Sequence, residues 1–464
     1  VIYAAENSSF HVLAVIPMTV TSSQLVGRML GQARPRAESF WLDNGLQVVV
    51  MPYPGRPSVS HAIWYRVGSA DDPPGKTGVA HLLEHLLDKA TCPVNGLGRR
   101  LEFSKTVECL GAVEDAFTEF DATAYHQRIS PEHLETVMVL EADRMVNLVL
   151  TEEQVVTERD VVLEERLEAI DSDPYELLYE QVNALLFLAH PYSTQVDGWE
   201  HNIRSLTRDD LMTFYRQHYA PNNAVVMVAG GVTVDEVRRL AEGIYGRLSA
   251  RPEVGRRQRG GEPVHVAARQ AVLEDERAAG QMMLREYLVP SYATAAPGVA
   301  EALDLLVYIL AESDNSHLYR RLVVEDEIAA EVEGRYSRYH IGPGRLIFDL
   351  VAEDGESISD VAKAFDEVVR RFKADGPQQE ELERAKVSFI SELIWRSDNA
   401  ERLSRLYGRR LIGGETLAAI EAWPHRIAAV TAEDVRMAAA LYLDLRSSAT
   451  GFLLPQGKGL SIAA

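Results

Sequence analysis

Two histidines and a glutamate stand close together in Gly78-Val79-Ala80-His81-Leu82-Leu83-Glu84-His85-Leu86-Leu87. Leu, Ala and Val surround them and no Pro or Gly follows for several residues, so the stretch predicts a helix. On a helix His81 and His85 are i and i+4, one turn apart on the same face. Their imidazoles can converge on one ion. Glu84 lies at the edge of that face, beside the ion without being its ligand.

The order H-x-x-E-H reverses the H-E-x-x-H of zinc proteases. Neutral imidazoles suit Zn²⁺, and a catalytic zinc needs a third protein ligand and an open position for water. The bland reading is an amphipathic helix that carries these residues by accident. With 13 His in 464 residues, chance supplies such a pattern in roughly a few per cent of chains. A third ligand would make accident less credible still.

These residues need elements to hold them, and the composition allows for that. The chain is 46% hydrophobic and 25% charged, an ordinary globular balance. Its length favours two or more domains. A net charge of −22 argues against nucleic acid and anionic membrane surfaces as partners. No apolar run reaches transmembrane length. Cys92 and Cys109 are too few for a disulfide framework or a Cys-rich zinc site. One disulfide between them and two buried free thiols are both open. Residues 1–37 carry a short apolar run, His11 to Val20, with no preceding Lys or Arg, and read as an extension outside the fold. This leader-like arm and the acidic balance lean toward a bacterial periplasm, with cytoplasm or mitochondrial matrix as alternatives.

In chain order, Asp43-Asn44-Gly45 is the turn of a hairpin between Phe40-Trp41-Leu42 and Leu46 to Val50. Val59 to Val67 predicts a strand, and Thr77 a cap for the motif helix. Leu101 to Leu110 predicts a helix. Ala116 to Phe120 and Ala122 to His126 alternate like strands. Helices are expected over Pro131 to Leu150, Glu152 to about Ile170, Asp209 to His218 and Val234 to Tyr245, with a strand at Ala224 to Ala229. Arg251 to Pro263, rich in Arg, Gly and Pro, is the best linker. Beyond it the plan repeats. Thr207 and Thr431 lie 224 positions apart, Tyr219 and Tyr442 223 apart, each pair followed by an apolar strand. The repeat implies domains at 38–248 and 266–464, joined by 249–265. Mixed helices and hairpins favour an α+β class, two homologous domains of mainly antiparallel sheet packed with helices. The helix pattern at Ala300 to Ala311 has no H-x-x-E-H, so metal belongs to the first domain only.

Several segments together resemble the pitrilysin and mitochondrial-processing-peptidase family of zinc metallopeptidases. They are Asp43-Asn44-Gly45-Leu46, Gly68-Ser69, the 78–85 motif, Ala116-Phe117-Thr118 with Thr123-Ala124-Tyr125, and Glu158-Arg159-Asp160-Val161-Val162-Leu163-Glu164-Glu165. His190-Pro191-Tyr192 and Tyr219-Ala220-Pro221-Asn222-Asn223 complete the set. The second half matches weakly. The resemblance implies a Zn²⁺ cofactor and a third ligand at Glu165, 80 positions after His85. Glu164 is the register alternative, rotated by about 100° on the helix. Glu158 matches the accessory glutamate that orients a ligand histidine. Glu168 reads as a solvated carboxylate. The resemblance also implies Glu84 as the base that takes a proton from water, and peptide or unfolded-polypeptide substrates inside a chamber. It implies that substrate backbone pairs with the strand Ala116-Phe117-Thr118; an ordinary core strand is the alternative there. One chain of this length implies one half-shell of a clamshell.

One departure bears on partners. The Arg and Tyr that active members carry in the second domain fall here on Val323 and Ala330, which donate no side-chain hydrogen bond. The reading that follows is a heterodimer in which a related metal-free subunit brings that pair. One rival is a self-sufficient homodimer in which Arg335 or Tyr336 substitutes. Another is a non-catalytic subunit of the respiratory-complex core type, which the intact motif disfavours.

Overall fold

The computed structural model describes residues 21–31, 36–89, 91–93, 100–254, 257 and 259–457. The first sheet has six strands, β1 (Glu38–Trp41), β2 (Gln47–Pro52), β3 (Val59–Tyr65), β4 (Val113–Thr118), β5 (Thr123–Ile129) and β6 (Ala224–Gly230). Their order is β1-β2-β6-β3-β5-β4, so β4 is an edge. The Asn44-Gly45 turn forms as expected. Gly45 takes a φ of +82°, and Asn44 Nδ2 donates to the carbonyls of Tyr245 and Leu248 at 2.8 and 2.9 Å.

The second sheet has five strands, β7 (Arg269–Asp275), β8 (Met282–Val289), β9 (Ala329–Ser337), β10 (Gly344–Ala352) and β11 (Ser448–Pro455), in the order β9-β10-β8-β11-β7. Strand for strand it repeats the first sheet without β1. The pair β2 with β6 is parallel, and so is β7 with β11. All other pairings are antiparallel. The helix before each closing strand starts with the same capping box. Thr207 and Asp210 open Arg208–His218, and Thr431 and Asp434 open Ala432–Tyr442. Two homologous α+β units are therefore visible in topology as well as in sequence spacing.

Each sheet buries two faces, and the halves share the covering. Helices Val79–Asp88, Leu134–Val146, Arg208–His218 and Val234–Ile244 close a core on one face of the first sheet. Its other face receives Ala400–Ile412 from the second half. Gly408 is the contact there, because a Cβ on it would lie 2.2 Å from the buried Trp64 ring. In return Pro174–Leu186 from the first half lies on the second sheet, its Leu178 and Val182 packed over Gly451.

Three expectations change. Part of the arm read as lying outside the fold is integrated. Ser22–Gly31 forms a helix against Gln379–Ser397, with Val26 only 3% exposed and Ser22 Oγ donating to Glu383 at 3.0 Å. The Arg-rich linker is likewise tied down. Arg259 bridges Asp71 at 2.6 Å and Asp121 at 2.8 Å, both buried side chains. Polar sequence here marks an ion-paired crossing and not a solvated tether. Cys109 is exposed and free, contrary to both readings of the cysteines; the Cys92 side chain lies outside the described residues. No helix among the described residues is long and apolar enough to cross a membrane.

Candidate metal centre

The motif helix Val79–Asp88 starts at Gly78, which adopts a left-handed φ of +89°. Thr77 does not cap it, contrary to expectation. The half-buried Asp72 carboxylate does so from the preceding loop, accepting from the N–H of Gly78 at 2.7 Å and of Ala80 at 3.1 Å. Thr77 Oγ1 instead accepts from Trp199 N and Asn202 Nδ2, at 3.0 and 2.9 Å. The helix carries His81 and His85 side by side, ring centroids 4.8 Å apart.

A second helix, Glu152–Arg166, begins at a Thr151 capping box and packs beside the motif helix. It brings Glu165 Oε2 to 3.3 Å from His85 Nε2. One ligand atom each from His81, His85 and Glu165 lies within 4.8 Å of the others. Glu164 and Glu168 are exposed, and Glu165 is the glutamate of this helix that lies with the two histidines. Two imidazoles and a carboxylate are a zinc donor set. Glu165 Oε2 is buried with no hydrogen-bond partner, the mark of an oxygen left for something else to satisfy. The residues therefore fit a divalent cation. Burial pushes His81 down to about 4, so its ring is neutral near pH 7.

Further carboxylates sit around this set. Glu158 Oε1 holds His85 Nδ1 at 3.0 Å. Burial opposes a charge on His85, but the Glu158 hydrogen bond and the nearby Glu165 carboxylate keep its pKa raised. The same hydrogen bond lowers the Glu158 carboxyl. Glu84, only 7% exposed, accepts from Thr118 Oγ1 at 2.6 Å. Burial pushes Glu84 up to about 7, where a carboxyl both takes and yields a proton near neutrality. The sequence pattern contained no hint of the Thr118 contact or of Asp197, whose Oδ1 lies 3.6 Å from His81 Nδ1.

A cavity of about 360 Å³ opens between the motif helix and β4, bounded by Glu84, His85, Asp88, Glu114, Ala116 and Glu158. The three β4 residues singled out from the sequence part company in their side chains. Ala116 lines this cavity and Thr118 binds Glu84. Phe117 turns to the opposite face, stacked on His126 with Arg405 and Arg409 over its ring. The edge of β4 away from β5 pairs with no strand among the described residues. In the second half, Arg335 is ion-paired to Asp349 at 2.5 Å, and Tyr336 Oη donates to the Pro290 carbonyl at 2.5 Å.

This fold and the reversed motif it carries match known proteins. Residues 47–197 match the profile described as Insulinase (Peptidase family M16), and residues 205–389 the one described as Peptidase M16 inactive domain. The chain is 28% identical to Helicobacter pylori zinc protease PqqE over 91% of its own length and 93% of that protein. It is 30% identical to an uncharacterized zinc protease of Mycobacterium tuberculosis, over 91% and 94%. The crystal structure of a protease from Helicobacter pylori superposes with a TM-score of 0.83 at 27% identity, covering 91% of this chain and 100% of that one. The periplasmic protease PqqL of Escherichia coli shares the fold at a TM-score of 0.72 and 18% identity, but this chain spans only 47% of it. The chain belongs to the M16 peptidase family, as one of its half-length members.

Proposed function

We propose that this chain is a zinc-dependent endopeptidase subunit with His81, His85 and Glu165 as metal ligands. The observation that carries this reading is the convergence of those three ligand atoms beside a buried, hydrogen-bonded Glu84. Zinc bound there would polarise the scissile carbonyl and acidify a water. Glu84, with its pKa pushed up to about 7, would accept a proton from the attacking water and pass it to the leaving amine. Thr118 holds one oxygen of Glu84 and leaves the other free for the transfer. Glu158 keeps His85 in the tautomer that offers Nε2 to the ion. The open edge of β4, at Ala116 to Thr118, pairs with extended substrate backbone, which favours peptides and unfolded polypeptides over folded proteins.

The partner reading rests on what the second half lacks. Val323 and Ala330 stand where the resemblance expects an Arg and a Tyr. The nearby Arg335 and Tyr336 are engaged with Asp349 and Pro290, which weighs against the self-sufficient homodimer. A related metal-free subunit then supplies the pair. Glu84→Gln tests the chemistry: zinc stays bound at one per chain, while kcat of the assembled enzyme falls by about 10²–10⁴-fold. Full activity in that variant would remove Glu84 from this role.

A further inference from the structure

His85 and His81 are treated differently by their surroundings. A ligand histidine keeps its aim by donating its second ring N–H to a carboxylate or carbonyl. Glu158 serves His85 at 3.0 Å. His81 Nδ1 is buried and makes no hydrogen bond. The carboxylate beside it is Asp197, at 3.6 Å, a few tenths of an ångström beyond hydrogen-bond reach. Resting on the zinc reading above, we infer that Asp197 is the positioning residue of His81. In the loaded centre it accepts from Nδ1–H and leaves Nε2 for the ion, as Glu158 does for His85.

The backbone that carries Asp197 is built to put it there. Gly78 opens the motif helix and Gly198 follows Asp197, with φ of +89° and +80°. A Cβ on Gly198 would lie 2.4 Å from Gly78 N, and one on Gly78 would lie 2.6 Å from the Asp197 carbonyl. The loop thus touches the helix start backbone to backbone, which only glycine permits at either position. Thr77 Oγ1 fastens the loop by accepting from Trp199 N at 3.0 Å. Arg166, next to the ligand Glu165, donates to the Gly198 carbonyl at 2.8 Å and pairs with Glu180 at 2.9 Å. Asp197 is therefore anchored to both helices that carry ligands. A loop serving only to connect helices would need none of these ties, and a carboxylate this close to a buried imidazole needs a reason.

The test is zinc affinity, by chelator competition, for the full chain and for Asp197→Ala, Asp197→Asn and His85→Ala. Apo-protein melting and the visible spectrum of the Co²⁺-substituted site are recorded for each. The expected result is weaker zinc binding by about 10–100-fold in Asp197→Ala. Asp197→Asn, which can still accept from Nδ1–H, should fall between that variant and wild type. The Co²⁺ bands should shift, and the apo melting temperature should not. Wild-type zinc affinity and an unchanged Co²⁺ spectrum in Asp197→Ala would overturn the assignment. A fall in apo melting that accounts for the lost affinity would overturn it too. If wild type itself binds no zinc, or His85→Ala binds as tightly as wild type, the zinc reading fails first and on separate grounds.

Discussion

At the scale of residues, the candidate site is two imidazoles and a carboxylate, with Glu158 on His85 and the Thr118 hydroxyl on the neighbouring Glu84. Burial raises the Glu84 pKa, and the Thr118 donation lowers it. Removing it in Thr118→Val must raise that pKa. Glu84 acts as a base only when ionised, so the acid limb of kcat/KM should move to higher pH, by about one unit for a hydrogen bond to a charged group. Thr118→Ser keeps a donor and should restore the limb. An unmoved limb in Thr118→Val, measured at saturating zinc, would deny the contact its role. How much of this was legible in the sequence follows from distance along the chain. His81, Glu84 and His85 fall within two turns of one helix, where periodicity alone predicts their geometry. Glu165 came only through the family pattern, because nothing local ties it to His85. Asp197 and Thr118 were invisible as partners, since each reaches the site through tertiary packing that no spacing encodes.

At the scale of elements, the centre depends on where two helices start and how one edge strand is backed. The motif helix starts at a left-handed glycine fitted against another glycine, so its position is set by backbone contact. Strand β4 is held from behind by Ala400–Ile412, through Arg405 to Asp115 and Arg409 to Glu119 at 2.5 and 2.6 Å. That helix reaches the sheet because Gly408 leaves room for Trp64. Gly408→Ala drives a methyl into a buried indole and should cost about 1–3 kcal/mol through overpacking. The expected outcome is a lower melting temperature with zinc affinity unchanged, since the ligands sit on the other face of the sheet. Loss of zinc in step with stability would mean the two faces are coupled. The hairpin at Asn44-Gly45 and the major helices were readable because turn chemistry and apolar period act locally. The Ser22–Gly31 helix was not, since its burial depends on a groove more than 350 residues away in sequence.

At the scale of the whole molecule, two homologous units exchange covering helices and are clasped by a charged crossing. Burial alone would raise the Asp121 carboxyl, but Arg259 and Arg257 hold it below the ordinary carboxylate range. A depressed folded pKa adds stability above the unfolded value, about 3.9, and that stability fades as pH falls through the folded value. Asp121→Asn should therefore be less stable at neutral pH, by about 1.5–3 kcal/mol for hydrogen bonds to a charged group, since Asp71 still pairs Arg259, and should lose less on acidification below about pH 4. Urea unfolding across that range checks both signs. The clasp ties the two units together through buried ion pairs, and the proposed partner is tested at this scale. Val323 is half-buried and Ala330 exposed, and neither can donate to an oxyanion. The zinc-loaded chain alone should therefore bind one zinc and leave a quenched peptide library uncut. Turnover should arise when a related metal-free chain with Arg and Tyr at those positions is added. It should also arise, more weakly, in the double variant Val323→Arg/Ala330→Tyr. Turnover by the wild-type chain alone, abolished by Glu84→Gln, would show the site to be complete in one polypeptide. The oxyanion would then have to be met by a donor already present in this chain, Arg335 and Tyr336 included.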